Sequence, residues 1–339
     1  MTMKLFNIRS TQAIRRALLL CLFCVVGIAP IALALDKVSL AVPVVAVQYM
    51  PIYFGIKEGV FAAEGLAAEI HVLRTDLAIA GLNTGRLDYI AHGGAALRGA
   101  TRGFQLKLIF ALDDKAAFWL LTQPGIRDAA MLKGKKIGVS FPGDTPHLVL
   151  KRFLRKRGLD PDKDVTYVAG QISPIGFQGL AAGVLDGAVM APPHSVLAEE
   201  KGFHSLAFLG EEVPDAPTIN GIITSDKKIR SQPDQVKRMV TATFKSVQLY
   251  RQKSDLATKF LAAEFNLAFP AAQRVYRQAA AMLRPDGEVA VEIIRDVLNL
   301  AKEAGQVDTS MDSPEKLLDF SFLWEVRREA AGAQKKPRP

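Results

Sequence analysis

Cysteine is almost absent from this 339-residue chain, which contains only Cys21 and Cys24. Both lie within the first 34 residues, a segment unlike the rest of the sequence. Once that segment is removed, the chain has no disulfide, no thiolate nucleophile and no cysteine-based metal site. A body of about 300 residues must then depend on a large hydrophobic core, and 49% hydrophobic residues suffice to build one.

Long apolar runs are absent after residue 34. The first 34 residues combine four cations and no acidic residue with an apolar run over 17–28 and the small-residue pattern Ala32-Leu33-Ala34. This order is typical of a secretory signal, and the run is shorter than the roughly 20 residues of a membrane-spanning helix. We therefore expect a periplasmic protein with a signal peptide over 1–34, removed near Ala34.

A clustered basic face is missing, although the formal net charge is +9. Removing the four cations of the signal lowers it to +5, and the basic run 151–158 fits the outer face and last turn of a helix. These features predict no nucleic-acid partner. The sequence also lacks the H-E-x-x-H, P-loop, G-x-G-x-x-G and G-x-S-x-G motifs, so we expect no enzyme, no cofactor and no metal site.

One short phrase is present twice. GLNTGRLDYI at 81–90 matches GLAAGVLDGA at 179–188, with Gly, Leu and Asp at the same spacing 98 positions later. Each copy follows an apolar run, a helix-length segment and a second apolar run. That order is typical of β-α-β units with parallel strands. Gly85 and Gly183 are placed to end a helix, and Leu87 and Leu185 to pack beneath it.

Residues 225–330 have a different pattern. They predict successive helices over 233–252, 254–265, 270–283, 288–304 and 314–329, with no strand between them. We expect two α/β lobes, with residues 35–122 and 222–330 in lobe 1 and residues 123–221 in lobe 2. The helical C-terminal region packs on lobe 1, two crossing segments form a hinge, and 331–339 is a disordered tail.

Four segments carry a resemblance to a known family. They are MPIYFGIKEGVFAAEGLAAEIHV, GLNTGRLDYIAHGGAALRGATRG, LKGKKIGVSFPGDTPHLVLKRFLRKRGLDPDKDV and GLAAGVLDGAVMAPP. Together they resemble the periplasmic solute-binding proteins of ABC importers, and more narrowly the alkanesulfonate/taurine/nitrate-binding group, which also includes thiamine-pyrimidine binders. The resemblance runs from about Val38 to Leu323. It implies a type II-like periplasmic binding protein with parallel-rich sheets that closes on a ligand and docks to a permease in the inner membrane.

In open parallel sheets, ligands bind outside the carboxyl ends of the strands, near helix N-termini. This rule selects loop residues of both lobes and of the returning hinge segment. The candidate ligand-binding residues are Gln48, Tyr49, Thr75, His92, Gly93, Asp114, Ser140, Gly143, Asp144, Thr145, Pro193 and Asn220. Arg74 is a further candidate to clamp an anion, and Tyr49, Phe118, Trp119 and Phe141 could form an apolar wall.

The loop SFPGDTPH at 140–147 is the strongest candidate. Ser140, Gly143 and Thr145 can offer N–H and hydroxyl donors to an oxyanion at a helix start. The alternative is that Asp144 or Thr145 only caps its own helix, which is the commoner role of such residues. An inward-facing Asp144 would also repel an anion. A zwitterion or a neutral heterocycle suits Asp113, Asp114 and Asp144 better.

We thus expect a monomeric binding protein that delivers a small organic solute to an ABC importer. A sulfonate, taurine or nitrate is the first candidate, and a thiamine-pyrimidine or another heterocycle is the alternative. A ligand-binding sensor domain would have the same lobes. Relatives of this fold include pyrimidine synthases and a cysteine-dependent desulfinase, but a chain that loses both cysteines with its signal cannot use cysteine chemistry.

Overall fold

The computed structural model describes residues 34–100, 103–216, 218–303, 305 and 313–335. Contacts divide the chain into two units, Met1–Leu35 and Asp36–Pro339. All elements named below belong to the second unit. The predicted signal peptide lies outside the described residues, except for Ala34. No helix in the described part of the chain is long and apolar enough to cross a membrane.

The first lobe is built on a five-stranded sheet in the order β2-β1-β3-β10-β4. Its strands are β1 (Asp36–Val42), β2 (Leu66–Val72), β3 (Tyr89–Ile90), β4 (Leu106–Asp113) and β10 (Asn220–Ser225). Its helices are α1 (Met50–Lys57), α2 (Val60–Ala63), α3 (Thr75–Thr84) and α4 (Gly93–Ala100). β1 pairs in parallel with β2 and β3, whereas β10 runs antiparallel to β3 and β4.

The second lobe repeats this plan in the order β7-β6-β8-β5-β9. Its strands are β5 (Trp119–Thr122), β6 (Lys135–Gly138), β7 (Val165–Val168), β8 (Gly187–Met190) and β9 (His204–Phe208). Its helices are α5 (Thr145–Lys156), α6 (Ser173–Ala181), α7 (His194–Glu200) and α8 (Leu209–Glu212). β6 is parallel to β7 and β8, and β5 is antiparallel to β8 and β9. Both sheets are thus mixed.

The repeated phrase has the same structural role in each lobe. Gly85 and Gly183 follow α3 and α6 with φ of 75° and 69°, a conformation that glycine adopts cheaply. Leu87 and Leu185 are buried beneath these helices. The aspartate of each phrase then ties the new strand to its parallel neighbour, because Asp88 accepts a hydrogen bond from Ser39 N of β1 at 2.8 Å and Asp186 accepts one from Lys136 N of β6 at 2.9 Å.

The crossings between the lobes lie earlier than predicted. β5 belongs to the second sheet, although we placed residues up to 122 in lobe 1, and Asn220 and Gly221 belong to the first sheet, although we placed them in lobe 2. The physical reason is that β5 and β10 are return strands, buried except for Ser225, that pair antiparallel within the sheet they enter. Their sequences would suit either sheet.

In the described part of the chain, six α-helices follow β10. They are α9 (Asp226–Ser231), α10 (Pro233–Gln252), α11 (Ser254–Glu264), α12 (Phe269–Met282), α13 (Val291–Glu303) and α14 (Ser321–Lys335). The helix predicted over 314–329 is wrong at its start, since 314–317 forms a 3-10 turn and Leu318 then pairs with Leu108 of β4. The tail predicted over 331–339 is helical as far as Lys335. Residues 336–339 lie outside the described residues.

The C-terminal helices pack mainly on the first lobe, as predicted. α10 lies on α1, and α14 contacts both α10 and β4. One helix also reaches the second lobe, because α12 contacts α7 and Val196 of α7 is buried in an apolar cluster with Tyr250 and Phe260. The two lobes are therefore joined by this packed contact as well as by the crossing segments.

Candidate binding site

A cleft of about 640 Å³ lies between the loops of the two lobes. It is lined by segments that follow β1, β2 and β3 of the first lobe and β6, β7 and β8 of the second. These are the carboxyl ends of parallel strands, where open α/β sheets bind ligands. The returning segment before and at the start of β10 also lines the cleft, at Thr218, Ile219 and Asn220.

Most of the predicted site residues line this cleft. They are Gln48, Tyr49, Thr75, His92, Ser140, Asp144, Thr145, Pro193 and Asn220. They come from both lobes and from the hinge, although they are up to 172 positions apart in sequence. The structure brings them together, and their contact with a ligand stays a prediction.

The structure places the other three predicted residues elsewhere. Asp114 is 14% exposed and pairs with Arg284, whose Nη1 lies 3.2 Å from its Oδ2. Gly93 lies against the hinge, where a Cβ atom would be 2.5 Å from the carbonyl oxygen of Ile219, and its neighbour Gly94 lines the cleft instead. Gly143 N donates to His147 Nδ1 at 2.8 Å and is not part of the lining.

A buried polar network forms the hinge side of the cleft. Tyr49 OH donates to Asn220 Oδ1 at 3.0 Å. Asn220 Nδ2 donates to both carboxyl oxygens of Asp113 at 3.0 and 3.1 Å, and Asn220 N donates to Oδ1 at 3.2 Å. Burial raises the pKa of Asp113 to about 8 and raises that of Tyr49. The network fixes the amide of Asn220 from both sides.

Polar groups of the SFPGDTPH loop form hydrogen bonds with one another. Asp144 is the N-cap of α5: its Oδ1 accepts a hydrogen bond from His147 N at 3.1 Å, and its Oδ2 accepts bonds from Phe141 N at 3.1 Å and from Ser140 Oγ. Thus the capping alternative is correct for Asp144, while Thr145 is the first helical residue. Ser140 Oγ and Gly143 N are hydrogen-bonded within the loop, and their contact with an oxyanion stays a prediction.

In the first lobe, α3 begins at the cleft. Thr75 Oγ1 lies 2.8 Å from His92 Nδ1, which positions the imidazole at the end of β3. Arg74 pairs with Asp76 through two contacts of 2.9 and 3.2 Å, and the hydrogen bond from Arg74 lowers the pKa of Asp76. The predicted candidate cation thus already has a carboxylate partner.

Apolar side chains form much of the remaining lining. Phe118 contributes an aromatic face, and Val44, Val45 and Phe141 are exposed at the cleft despite their size. Phe141 is 61% exposed. Exposed apolar groups concentrated in one concave site favour an organic ligand with an apolar body. Trp119, the other aromatic candidate, instead stacks on Phe208 with a centroid distance of 4.3 Å.

We did not select Gln171, Ser173 and His194 from the sequence, although they also line the cleft. A signal for Ser173 was available. The 98-position offset of the repeated phrase makes Ser173 the counterpart of Thr75, and each is the first residue of its helix. Ser173 Oγ accepts a hydrogen bond from Ala191 N at 3.0 Å. Burial lowers the pKa of His194.

The NMT1/THI5-like family model matches residues 46–257, which is more than half of the chain. The chain belongs to the NMT1/THI5-like family. The match spans both lobes and the start of the C-terminal helices, so it includes the lining segments of the cleft. It agrees with the predicted resemblance.

Two curated relatives have names that mention binding proteins. A binding protein of Brucella abortus (strain 2308) is 28% identical over 244 residues, which cover 67% of this chain and 75% of the relative. An ABC transporter periplasmic binding protein of Brachyspira hyodysenteriae (strain ATCC 49526 / WA1) is 28% identical over 134 residues. That match covers 40% of this chain and 37% of the relative.

Solved structures share the fold. The periplasmic sulfonate-binding protein SsuA of Methylobacillus flagellatus KT superposes with a TM-score of 0.71 at 19% identity, over 88% of this chain and 96% of its own. The desulfurization enzyme DSZB superposes with a TM-score of 0.65 at 14% identity, over 87% of this chain and 99% of its own. The two-lobed α/β binding-protein fold is confirmed. An enzyme shares it.

Proposed function

We propose that this protein is the periplasmic solute-binding component of an ABC importer, which captures a small organic solute between its lobes and delivers it to a permease in the inner membrane. Its signal peptide directs export, and the protein acts as a monomer. The observation that carries this proposal is the cleft of about 640 Å³, to which both sheets and the hinge contribute polar side chains amid apolar ones.

The composition of the cleft supports binding more than catalysis. Tyr49 and Asn220 have their polar groups fixed by neighbours, which suits a preorganised site. In the described part of the chain, no group of three His, Cys, Asp or Glu side chains could hold a metal ion. Both cysteines of the sequence lie in the proposed signal. We infer that the solute leaves the cleft chemically unchanged.

The first test is a thermal-shift screen of the purified chain. The panel contains alkanesulfonates, taurine, nitrate, aromatic carboxylates, aminopyrimidines and amides. A solute at about 100 times its dissociation constant adds roughly 2.7 kcal/mol to the free energy of unfolding. We expect one chemical class to raise the melting temperature by several degrees. No shift with any member would contradict the proposed function.

Each hit is then titrated calorimetrically into two variants. Tyr49→Phe removes the hydroxyl that holds Asn220, so we expect about a tenfold loss of affinity. Tyr53→Phe removes a hydroxyl from the same helical segment outside the cleft lining and serves as the matched control. Equal affinities of both variants would place the solute elsewhere. Mass spectrometry of the recovered solute tests the enzyme alternative, since a changed mass would show turnover.

A further inference from the structure

A carboxyl group, an amide and a phenol form a chain of hydrogen bonds between the hinge and the cleft. Asp113 is 1% exposed at the end of β4, and Asn220 lies opposite it at the start of β10. Asn220 in turn contacts Tyr49, which lines the cleft. These three side chains therefore connect the point where the polypeptide leaves the first lobe with the site of the solute.

The direction of the hydrogen bonds depends on whether Asp113 carries a proton. A carboxylate only accepts hydrogen bonds, so it orients the amide of Asn220 with Nδ2 toward Asp113 and Oδ1 toward Tyr49. The hydroxyl proton of Tyr49 is then donated to Asn220, and only the lone pairs of its oxygen are left. With an ionised Asp113, Tyr49 can thus offer the solute an acceptor.

A protonated Asp113 reverses this direction. Its O–H is a donor, and the amide of Asn220 lies 3.1 Å from Asp113 Oδ2. A half-turn of the amide exchanges its oxygen and nitrogen with little change of shape and brings the oxygen to that position. The NH2 group of Asn220 then donates to the oxygen of Tyr49 over the 3.0 Å contact, and the Tyr49 O–H becomes a donor for the cleft.

The surroundings of Asp113 favour the protonated form at neutral pH. Burial raises the pKa of Asp113 to about 8, and the charge of the neighbouring Asp114 adds to the increase. Arg284 pairs with Asp114, and among the described residues no cation pairs with Asp113. Burial also raises the pKa of Tyr49, which is already a weak acid. Asp113 is therefore the member of the chain of hydrogen bonds that titrates near neutral pH.

Resting on the proposed function, we infer that Asp113 is a specificity-determining residue of the cleft, although it lies behind the lining. Its proton sets the direction of the hydrogen bonds through Asn220 and so decides whether Tyr49 offers the solute a donor or an acceptor. With the proton bound, the cleft selects a solute that has an acceptor at this point, such as a ring nitrogen or a carbonyl oxygen. Without the proton, it selects a solute with an N–H or O–H donor there.

The first test needs no solute. The side-chain amide of Asn220 is followed in ¹H–¹⁵N NMR spectra of the purified chain between about pH 6.5 and 9.5, and its signals are assigned by their loss in Asn220→Ser. We expect both amide protons to shift in one step near pH 8 as Asp113 ionises. Absence of this step from the spectra of the unmodified chain would overturn the inference.

Two probes of similar size then report what Tyr49 offers. The ring nitrogen of quinoline only accepts a hydrogen bond, the N–H of indole only donates one, and both molecules are uncharged over this pH range. Isothermal titration should favour quinoline at the acidic end. At the alkaline end, the ratio of the two dissociation constants should change by about tenfold in favour of indole. A ratio that does not depend on pH contradicts the inference.

Variants assign the effect to residues. Asp113→Asn cannot ionise, and its NH2 group donates where the O–H of the protonated acid does. It should therefore show no step and keep the ratio of the acidic end throughout. Tyr49→Phe should give one ratio at every pH while the step of Asn220 remains. Asp128→Asn is the matched control and should behave like the unmodified chain, because Asp128 caps a 3-10 turn of the second lobe outside the cleft.

The outcomes separate the inference from the proposed function. A step of Asn220 together with a change of the ratio, both lost in Asp113→Asn, supports the inference. Binding of neither quinoline nor indole, when a member of the thermal-shift panel does bind, would overturn the specificity role of Asp113 and leave the proposed function standing. If no solute binds at all, the proposed function is contradicted and the inference fails with it.

Discussion

Asp113 is a buried carboxyl group beside the cleft. It is buried at the end of β4, and its carboxyl oxygens accept three hydrogen bonds from Asn220. Burial nevertheless raises its pKa to about 8, with a contribution from the neighbouring Asp114. The folded protein therefore holds a proton that the unfolded chain releases near pH 4.

This proton makes stability depend on pH. The pKa of Asp113 is higher in the folded protein than in the unfolded chain. The protonated carboxyl group therefore makes its full contribution to the free energy of unfolding below about pH 4, and this contribution is lost as pH rises through about 8. The slope contributed by one such proton is at most about 1.4 kcal/mol per pH unit. We predict that Asp113→Asn removes this contribution, and urea unfolding between pH 5 and 9 measures it. The control Asp128→Asn should leave the slope of the free energy of unfolding against pH unchanged. The same unchanged slope in Asp113→Asn would refute the prediction.

The choice between Asp113 and Asp114 shows a limit of sequence reasoning at this scale. We predicted Asp114 as a ligand-binding residue, yet Asp113 binds the cleft residue Asn220 and Asp114 pairs with Arg284. Successive strand residues point to opposite faces, so a shift of one position exchanges their roles. β4 is apolar and buried on both faces, and it gives no alternation from which the register could be read.

At the scale of elements, the repeated phrase was the most informative part of the sequence. It located α3 and α6, the glycines that end them and the leucines beneath them, because glycine, leucine and aspartate there are fixed by local geometry. The cap of α5 was harder to predict. An N-cap and an anion site use the same N–H groups, so only the positions of Asp144 and His147 could decide between them.

Gly85 and Gly183 of the repeated phrase end equivalent helices in the two lobes, and substitution tests whether they do so in the same way. At Gly85 and Gly183 an added Cβ would meet no atom within 4 Å, so alanine is penalised only by the positive φ. We predict that Gly85→Ala and Gly183→Ala each lower the free energy of unfolding by about 1 kcal/mol. Chemical denaturation of both variants measures the loss. Gly125→Ala, with equal space and no positive φ, should have no such cost. A cost at only one of the two phrase glycines would show that their roles differ.

For the whole molecule, the sequence predicted two lobes and a helical C-terminal region but misplaced the crossings by a few residues. The buried strands β5 and β10 could enter either sheet, and only pairing with β8 and β4 decides the matter. The contact of α12 with the second lobe was also missed. Arg274 of α12 pairs with Glu199 and Glu200 of α7, and surface pairs of this kind have no sequence signature at a separation of about 75 residues.

That contact predicts how the molecule unfolds. Val196 is fully buried between α7 and the helices that pack on the first lobe, and Met282 of α12 is buried with Trp119 of the second sheet. Because each lobe contributes side chains to a core shared with the C-terminal helices, we predict a single calorimetric transition for residues 36–339. The same coupling would let a solute in the cleft raise the melting temperature of the whole unit.

Val196→Ala tests the coupling. Removing this buried side chain's methyl groups should lower the free energy of unfolding by about 2 kcal/mol and shift the one transition downward by a few degrees. Val184→Ala, at a position of the second lobe that is 62% exposed, is the matched control and should leave the transition in place. Two transitions in the unmodified chain, of which Val196→Ala moves only one, would mean that the lobes unfold independently despite the α7–α12 contact.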